Sequence, residues 1–222
     1  MLKIAHRGAS GYQDENSMAS LLMAIELNAD IIEADVQLTK DGVPVIRHDK
    51  LLDRTTNTQG YTWDYSWEYY QKNIRLKNGE PVCSLDQYCE AIAPHRQILY
   101  LDLKTFGAES VILDTCLKHL PEDRFIIGSF DYKSIVHVKK LDPRVKTVLI
   151  VEGNPISVEE MIQNAQCDIL ALGFDSIDPE VVKKAQSLGK KVFTWTVNHP
   201  LEIERAKSMK VDGITGDYVD RI

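Results

Sequence analysis

The sequence predicts an α/β protein built on a parallel sheet, and two observations carry this prediction. Eight short apolar runs rich in β-branched residues recur along the 222-residue chain, most with the length of a strand. Helical patterns fill most of the intervals between them, an alternation that is typical of parallel sheets. Closing eight such strands gives a TIM (β/α)8 barrel, for which this chain has a compact length. A doubly wound open sheet would show the same alternation.

The elements follow in order along the chain. Strands are predicted at residues 2–6, 30–36, 97–103, 124–130, 145–151, 168–174, 191–197 and 211–215. Helices are predicted at residues 17–28, 84–93, 108–119, 132–141, 157–165, 179–188 and 200–209. Pro179 and Pro200 stand where helices begin, and Gly189 stands just past the end of one, which are the positions these residues favour. The last helix of the barrel is predicted to be truncated or missing, because little sequence follows the eighth strand.

One interval is too long for an ordinary connector between barrel elements. We interpret residues 50–83, which follow the second strand, as an insertion within a single domain that spans residues 1–222. A helix is expected in it from Ser66. The insertion carries six aromatic residues, Tyr61, Trp63, Tyr65, Trp67, Tyr69 and Tyr70. These rings could line a ligand entrance, but a small core that holds the insertion to the barrel is the favoured interpretation.

Composition limits the classes of function. The formal net charge of −7 argues against broad nucleic-acid binding, which needs a basic surface. No apolar run approaches the ~20 residues of a membrane span, and the amino terminus lacks the pattern of a signal peptide. The four cysteines show no metal-binding or disulfide spacing. We therefore expect a cytoplasmic protein with reduced thiols and no stable membrane insertion, either a monomer or a homodimer.

Two of the predicted strands carry charges on one face. Side chains alternate along a strand, so Glu33 and Asp35 share one face of the second strand, while Asp102 and Lys104 share one face of the next. In a barrel these four side chains converge at the carboxyl ends of the strands, where barrel active sites lie. Three carboxylates in one pocket favour a divalent cation bound through oxygen. A salt-bridge cluster with Lys104 and Arg7 is the alternative.

Two histidines lie near this acidic cluster. His6 ends the first strand and His48 follows the second, and both can exchange a proton near neutral pH. Arg7 and Lys104 carry donors suited to phosphate oxygens. Metal ligands, acid/base groups and cations together point to phosphoester chemistry. Asn16, just before a helix, is interpreted as its N-cap.

Several segments resemble the glycerophosphodiester phosphodiesterase family. They are IAHRGASG, then ENSMASLLMAIELNADIIEADVQLTKDGVPVIRHD, then LDRTTNTQG, with weaker matches through LDLK, IIGSF, VFTWTVN and VDGITGDYVD. The resemblance implies a TIM barrel with a small insertion. It also implies metal-dependent hydrolysis of glycerophosphodiesters, such as glycerophosphocholine and glycerophosphoethanolamine, to sn-glycerol 3-phosphate and an alcohol. Such an enzyme is a phosphoric diester hydrolase of lipid and glycerol metabolism.

The resemblance also implies roles for individual residues. Glu33, Asp35 and Asp102 would hold one divalent cation, Mg²⁺ or alternatively Ca²⁺. His6 and His48 would be the acid/base pair. The substrate would be bound by three further side chains, Arg7 and Lys104 at the phosphate and Trp195 beside the glycerol.

The sequence departs from the family pattern at two points. Asp102 stands where the family usually has Glu, and Gly216-Asp217 replaces the usual Thr-Asp pair in the last loop, a change interpreted as lying outside the chemical groups. Two alternative functions remain open at this stage. One is a lysophospholipase D acting on single-acyl lipids, and the other is a catalytically silent phosphate-binding barrel.

Overall fold

The computed structural model describes residues 1–222 and shows a closed barrel of eight parallel strands. β1 (Leu2–Ala5) pairs with both β2 (Ile31–Leu38) and β9 (Gly213–Gly216), and this double pairing closes the ring. The remaining barrel strands are β4 (Ile98–Leu103), β5 (Phe125–Ser129), β6 (Lys146–Val151), β7 (Ile169–Gly173) and β8 (Lys191–Trp195). The predicted TIM barrel is confirmed, and the open sheet is excluded.

Helices cover the outside of the barrel. They are α1 (Met18–Glu26), α2 (Trp67–Asn73), α3 (Leu85–Ile92), α4 (Glu109–His119), α5 (Tyr132–Leu141), α6 (Val158–Ala165), α7 (Pro179–Ser187) and α8 (Pro200–Ser208). Serine side chains cap the first turns of α1, α3 and α6, at Ser17, Ser84 and Ser157. The sequence intervals included these caps, which explains why the predicted helices begin one residue early. A 3₁₀ turn at Val219–Arg221 follows β9 where a full helix would complete the barrel.

Residues 50–83 form a small structure of their own beside the carboxyl end of β2. The antiparallel strand β3 (Pro44–Ile46), which the sequence did not predict, pairs with β2 and leads into it. α2 begins after Ser66, as expected. A small buried cluster supports the segment, and it consists of Val45, Leu52, Tyr70, Ile74, Leu76 and Val82. Among the aromatic residues, Tyr70 is buried in this cluster, whereas Tyr61, Trp63 and Tyr69 are exposed.

The alternation along β2 and β4 divides their side chains between two environments. Ile32, Ala34 and Val36 face outward and belong to a large apolar cluster shared with the covering helices. The intervening residues face the barrel interior, where a second apolar cluster fills the lower part beneath the charged groups. The four cysteines are free and buried. None of the helices is both long enough and apolar enough to cross a membrane.

Candidate active site

Three carboxylates meet at the carboxyl end of the barrel. Glu33, Asp35 and Asp102 are each at most 5% exposed, and one oxygen of each lies within 4.8 Å of the others. Asp35 and Asp102 are direct partners in the register of β2 and β4. Asp102 Oδ1 is buried and has no hydrogen-bond partner. A buried carboxylate oxygen without a donor is costly, and a hard cation would satisfy it. The residues present therefore fit a divalent metal site.

Arg7 and Lys104 neutralise part of this charge. Lys104 Nζ lies 2.6 Å from Asp102 Oδ2 and 3.1 Å from Asp35 Oδ1. Arg7 Nε lies 3.2 Å from Asp35 Oδ2. Glu33 has no such cationic partner, and its Oε2 accepts only the backbone N–H of Arg7, at 2.7 Å. Both the ion-pair cluster and the metal-ligand geometry expected from the sequence are thus present in the same pocket.

The three carboxyl groups titrate differently. Burial, together with the charges of Asp35 and Asp102, raises the pKa of Glu33 well above its ordinary value. Burial also raises the pKa of Asp102, to about 7, although Lys104 opposes the shift. Burial acts in the same direction on Asp35, but Lys104 and Arg7 outweigh it and lower the pKa of this carboxyl. Asp35 is therefore the carboxyl group that ionises most readily, and a cation bound by Glu33 and Asp102 would compete with protons at those two groups.

The backbone turn after β1 brings His6 and Arg7 to this pocket. Arg7 and Gly8 both adopt a positive φ, +53° and +78°. A Cβ at Gly8 would lie 2.4 Å from Ser20 Oγ, so only glycine fits against α1 there. The Gly8 N–H donates to the Glu33 carbonyl oxygen at 3.1 Å, which holds the turn against β2. Backbone geometry thus requires glycine at the third position of the sequence HRG.

His6 is oriented by a carboxylate from the other end of the chain. Its Nδ1 lies 2.7 Å from Asp217 Oδ1, and Ser10 Oγ donates to the same oxygen at 3.0 Å. Asn198 Nδ2 donates to the other oxygen at 2.6 Å. Burial tends to raise the pKa of Asp217, but the hydrogen bond and charge of His6 lower it to about 2. The sequence placed Gly216-Asp217 outside the chemical groups, yet the structure brings Asp217 into direct contact with His6, and an ionised Asp217 accepts a hydrogen bond from the Nδ1–H of His6.

His48 has a carboxylate partner of its own. Its Nδ1 lies 2.7 Å from Asp49 Oδ1, and Arg54 Nε donates to Asp49 Oδ2 at 2.5 Å. Arg54 also reaches Glu15 with two nitrogens, at 2.6 and 2.7 Å, and Glu15 in turn accepts from Arg7 Nη1 at 2.9 Å. Hydrogen bonds from Arg54 and His48 lower the pKa of Asp49, even though burial opposes this shift. Arg54, from the insertion, thereby joins the surroundings of His48 to those of Arg7.

Asn16 was expected to cap α1, and this expectation was wrong. Ser17 is the cap, and Asn16 adopts a positive φ of +59° that turns its side chain toward β2. Its Nδ2 donates to Asp35 Oδ2 at 2.9 Å, and its Oδ1 accepts from the Asp35 backbone N–H at 3.1 Å. Asn16 therefore locks the position of Asp35. Two adjacent residues that both favour caps, Asn16 and Ser17, made the assignment ambiguous.

An apolar wall faces the charges across the pocket. Trp195 stands edge-on to Phe130, with ring centroids 5.6 Å apart, and its Nε1 donates to the Ala171 carbonyl oxygen at 3.2 Å. Lys104 Nζ lies 5.3 Å from the centre of the Phe130 ring. Both aromatic rings, both histidines and the three carboxylates line one cavity. Phe130 was not singled out from the sequence, where it follows β5 without a distinguishing pattern.

Comparison with known proteins decides the family. The family model described as "Glycerophosphoryl diester phosphodiesterase family" matches residues 6–221. The chain belongs to this family. It is 34% identical to a glycerophosphodiester phosphodiesterase of Caldanaerobacter subterraneus subsp. tengcongensis, over 97% of this chain and 93% of that protein. A Bacillus subtilis protein of the same name is 29% identical over 99% of this chain and 84% of its own length.

A solved structure gives the same result for the fold. The phosphodiesterase of Oleispira antarctica, determined in complex with the product sn-glycerol-3-phosphate, superposes with a TM-score of 0.93 at 28% identity, covering 99% of this chain and 94% of that one. The predicted membership of the glycerophosphodiester phosphodiesterase family is therefore confirmed. The roles of individual residues stay predictions.

Proposed function

We propose that this protein hydrolyses glycerophosphodiesters to sn-glycerol 3-phosphate and an alcohol, using one divalent cation and two histidines. One observation carries the proposal: three buried carboxylates, two histidines with carboxylate partners and two cations line a single cavity. Membership of the family and the product seen in the Oleispira antarctica phosphodiesterase support the same reaction. Residues 1–222 would form one catalytic domain, with residues 50–83 as an insertion in it.

Glu33, Asp35 and Asp102 would hold the cation, for which Mg²⁺ is the first choice and Ca²⁺ the alternative. Both prefer oxygen ligands of this kind. When bound, the cation supplies Lewis-acid polarisation of a phosphoryl oxygen. Asp102 has a shorter side chain than the usual glutamate, but its place in register beside Asp35 brings one of its oxygens within 4.8 Å of an oxygen of each of the other two carboxylates. The shorter reach is therefore compatible with a shared cation.

Arg7 and Lys104 would bind the phosphate, since both project donors into the cavity at the edge of the carboxylate cluster. Their ion pairs with Asp35 and Asp102 fix them in place beforehand, which reduces the entropic cost of binding. Trp195 and Phe130 would form the wall beside the carbon atoms of glycerol. This division places the phosphate between the charged and the apolar sides of the cavity.

His6 and His48 would move the protons of the reaction. We assign His6 as the base, taking the proton from the attacking hydroxyl with its free Nε2, while its Nδ1–H stays with Asp217. His48 would act as the acid, giving a proton to the alcohol oxygen as the phosphorus–oxygen bond breaks, while the contact of its Nδ1 with Asp49 orients the ring. The hydroxyl next to the phosphorylated carbon of glycerol is the proposed nucleophile, and water would then open the cyclic phosphate.

A coupled assay for glycerol 3-phosphate tests this proposal. The wild-type protein should release the product from glycerophosphoethanolamine, lose activity with EDTA and regain it when Mg²⁺ or Ca²⁺ is restored. His6→Ala should lower kcat by about 10²–10⁴-fold, the usual range for a proton-transfer group. Full activity after exhaustive chelation would refute the metal site. An equal rate on a diester that lacks the adjacent hydroxyl would refute the internal attack.

A further inference from the structure

A second cavity adjoins the proposed catalytic pocket and opens to solvent. It has a volume of about 410 Å³ and shares His6 and Arg7 with the inner cavity. Four residues of the β1–α1 loop, Ser10, Gln13, Asp14 and Glu15, line one side, and the insertion lines the other with Arg54, Thr55 and Lys77 among its residues. We call this cavity the outer groove. A diester whose phosphate lies beside Arg7 can place one ester arm inward and the other in the outer groove.

The lining of the outer groove is polar. Leu76 is its single hydrophobic residue, and no aromatic side chain takes part. Removal of an acyl chain from water needs a continuous apolar surface, which this groove does not offer. The arm that enters it must therefore be small and hydrated. The glycerol arm has its apolar wall at Trp195 in the inner cavity, which leaves the alcohol arm for the groove.

Most of the charges in the outer groove are already paired with one another. Glu15 pairs with Arg7 and Arg54, at 2.9 and 2.6 Å. Asp217 pairs with His6 at 2.7 Å. Two charged groups have no ion pair, the carboxylate of Asp14 and the exposed ammonium of Lys77.

Asp14 is well placed to receive a cation. Its carboxylate is half-buried, and its one hydrogen bond holds Oδ2 to the Asn78 backbone N–H of the insertion at 3.2 Å. That contact fixes the carboxylate in the groove and leaves its other oxygen free. A primary ammonium can donate hydrogen bonds to such an oxygen, whereas a trimethylammonium group cannot and is instead recognised by aromatic rings.

We infer that the outer groove is the binding site for the alcohol of the diester, and that Asp14 selects alcohols carrying a primary ammonium group, such as ethanolamine. This inference rests on the proposed hydrolysis of glycerophosphodiesters and adds the class of alcohol to it. Lys77, on the insertion side, is available to a carboxylate when the amino alcohol carries one.

Steady-state kinetics on three substrates tests the inference. They are glycerophosphoethanolamine, glycerophosphocholine and glycerophosphoglycerol, whose alcohols carry a primary ammonium, a quaternary ammonium and no charge. The wild type should prefer the ethanolamine ester to the choline ester. Asp14→Asn should lower kcat/KM for the ethanolamine ester by about threefold to fivefold, the upper part of the range for an exposed ion pair. The same variant should leave the neutral glycerol ester within about twofold of wild type, because no charge pair is lost there.

Asp175→Asn is the matched control. Asp175 is exposed on the β7–α7 loop at the same end of the barrel, has no ion pair and lies outside the groove. It should change none of the three rates. An equal loss on all three substrates in Asp14→Asn, or no loss on the ethanolamine ester, would overturn the inference while leaving hydrolysis itself established.

Calorimetric binding of the three intact diesters to EDTA-treated protein distinguishes a failure of the groove assignment from a failure of the proposed hydrolysis. Weaker binding of the ethanolamine ester alone to Asp14→Asn would support the groove assignment, even for a protein that proved unable to hydrolyse any of the three. Absence of hydrolysis would then count against the proposed function only. Equal affinity of wild type and Asp14→Asn for the ethanolamine ester would count against the groove assignment.

Discussion

The two sides of the barrel contribute opposite kinds of side chain to one cavity. We call β1, β2 and β4 the charged side, because their ends carry the carboxylates, the cations and His6. We call β6 to β9 the apolar side, because the corresponding positions are Ile150, Ala171, Trp195 and Thr215, none of which is charged. Strand pairing and alternation are the same on both sides. The difference lies entirely in which residue types occupy equivalent positions.

Only a small part of the fold is needed to bring the three carboxylates together. Two neighbouring strands in register, β2 and β4, are sufficient to bring three carboxylates within 4.8 Å. Three neighbouring carboxylates are costly to bury. The apolar side and the apolar cluster in the lower part of the barrel offset this cost, because they bury apolar surface and add no charge repulsion. The apolar side thus stabilises the fold, whereas the carboxylates of the charged side, which are suited to a cation, destabilise it through charge repulsion. Substitutions on the two sides should therefore have different effects.

Matched substitutions on the two sides should differ most in activity. Asp35→Asn removes the charge that Arg7 and Lys104 share, and we expect kcat to fall by about 10²–10³-fold, as for other preorganised electrostatic groups. Thr215→Val, at an inward position on the apolar side, should stay within about threefold of wild type, because it removes no charge. Parallel assays of glycerol 3-phosphate release check both. Comparable losses in the two variants would contradict the division into sides.

Asp217→Asn should have the next largest effect. Asp217 lies at the end of β9, where the apolar side meets the charged side, and it holds the proton of His6 on Nδ1. An amide can accept that hydrogen bond or donate its own to Nδ1, and the second arrangement places the proton on the wrong nitrogen. We expect kcat to fall by about 10–100-fold with an altered pH profile, since the base itself is retained. A lower rate with an unchanged profile would indicate a structural role only.

Trp195→Ala tests the contribution of the apolar side to substrate binding. The ring packs edge-on against Phe130 and borders the cavity, so its loss should weaken contact with the carbon atoms of glycerol. We expect KM to rise by about threefold to tenfold with a smaller change in kcat, because such apolar contacts are worth about 1 kcal/mol. Trp195→Phe, which keeps an aromatic ring, should recover most of the affinity. A fall in kcat with an unchanged KM would instead mean that Trp195 acts in the chemical step, as the residues of the charged side are proposed to do.

The charged side could be predicted from the sequence because its signals are local. Glu33 and Asp35 stand two residues apart on one strand, and alternation alone places them on the same face. Asp102 and Lys104 repeat the pattern on the next barrel strand, and parallel register brings the pairs together. Strand and helix periodicity likewise located every strand of the barrel, although caps and turns moved the ends by one or two residues.

The contacts that hold His6 and Asp35 could not be predicted in the same way. Asp217 is 211 residues from His6, and only closure of the barrel between β1 and β9 makes them neighbours. Closure was predicted, so the position of Asp217 just after the last strand was the available signal. Asn16 is different, because its contact with Asp35 depends on a left-handed backbone conformation. Asparagine tolerates the left-handed conformation, but nothing in the sequence around Asn16 requires it.

The smallest expected effect concerns stability in acid. The pKa of Asp217 is about 2, below its ordinary value of 3.8, so the unfolded chain binds this proton more readily than the folded protein does. The resulting stability is fully present above pH 3.8 and is lost as the pH falls toward 2. Because the carboxylate is 30% exposed, solvent screening reduces the contribution to about 1 kcal/mol.

Urea unfolding at pH 6 and pH 2.5 measures this contribution. The difference in free energy of unfolding between wild type and Asp217→Asn should be about 1 kcal/mol at pH 6 and should fall to less than half of that at pH 2.5, because the carboxyl of the unfolded wild type is then neutral and that of the folded protein begins to bind a proton. Asp175→Asn provides the matched control, since it makes the same charge change without an ion pair. A difference in the free energy of unfolding that does not change with pH would mean that Asp217 stabilises the barrel closure by packing and not by its charge. The contact between the charged side and the apolar side at Asp217 would then be steric.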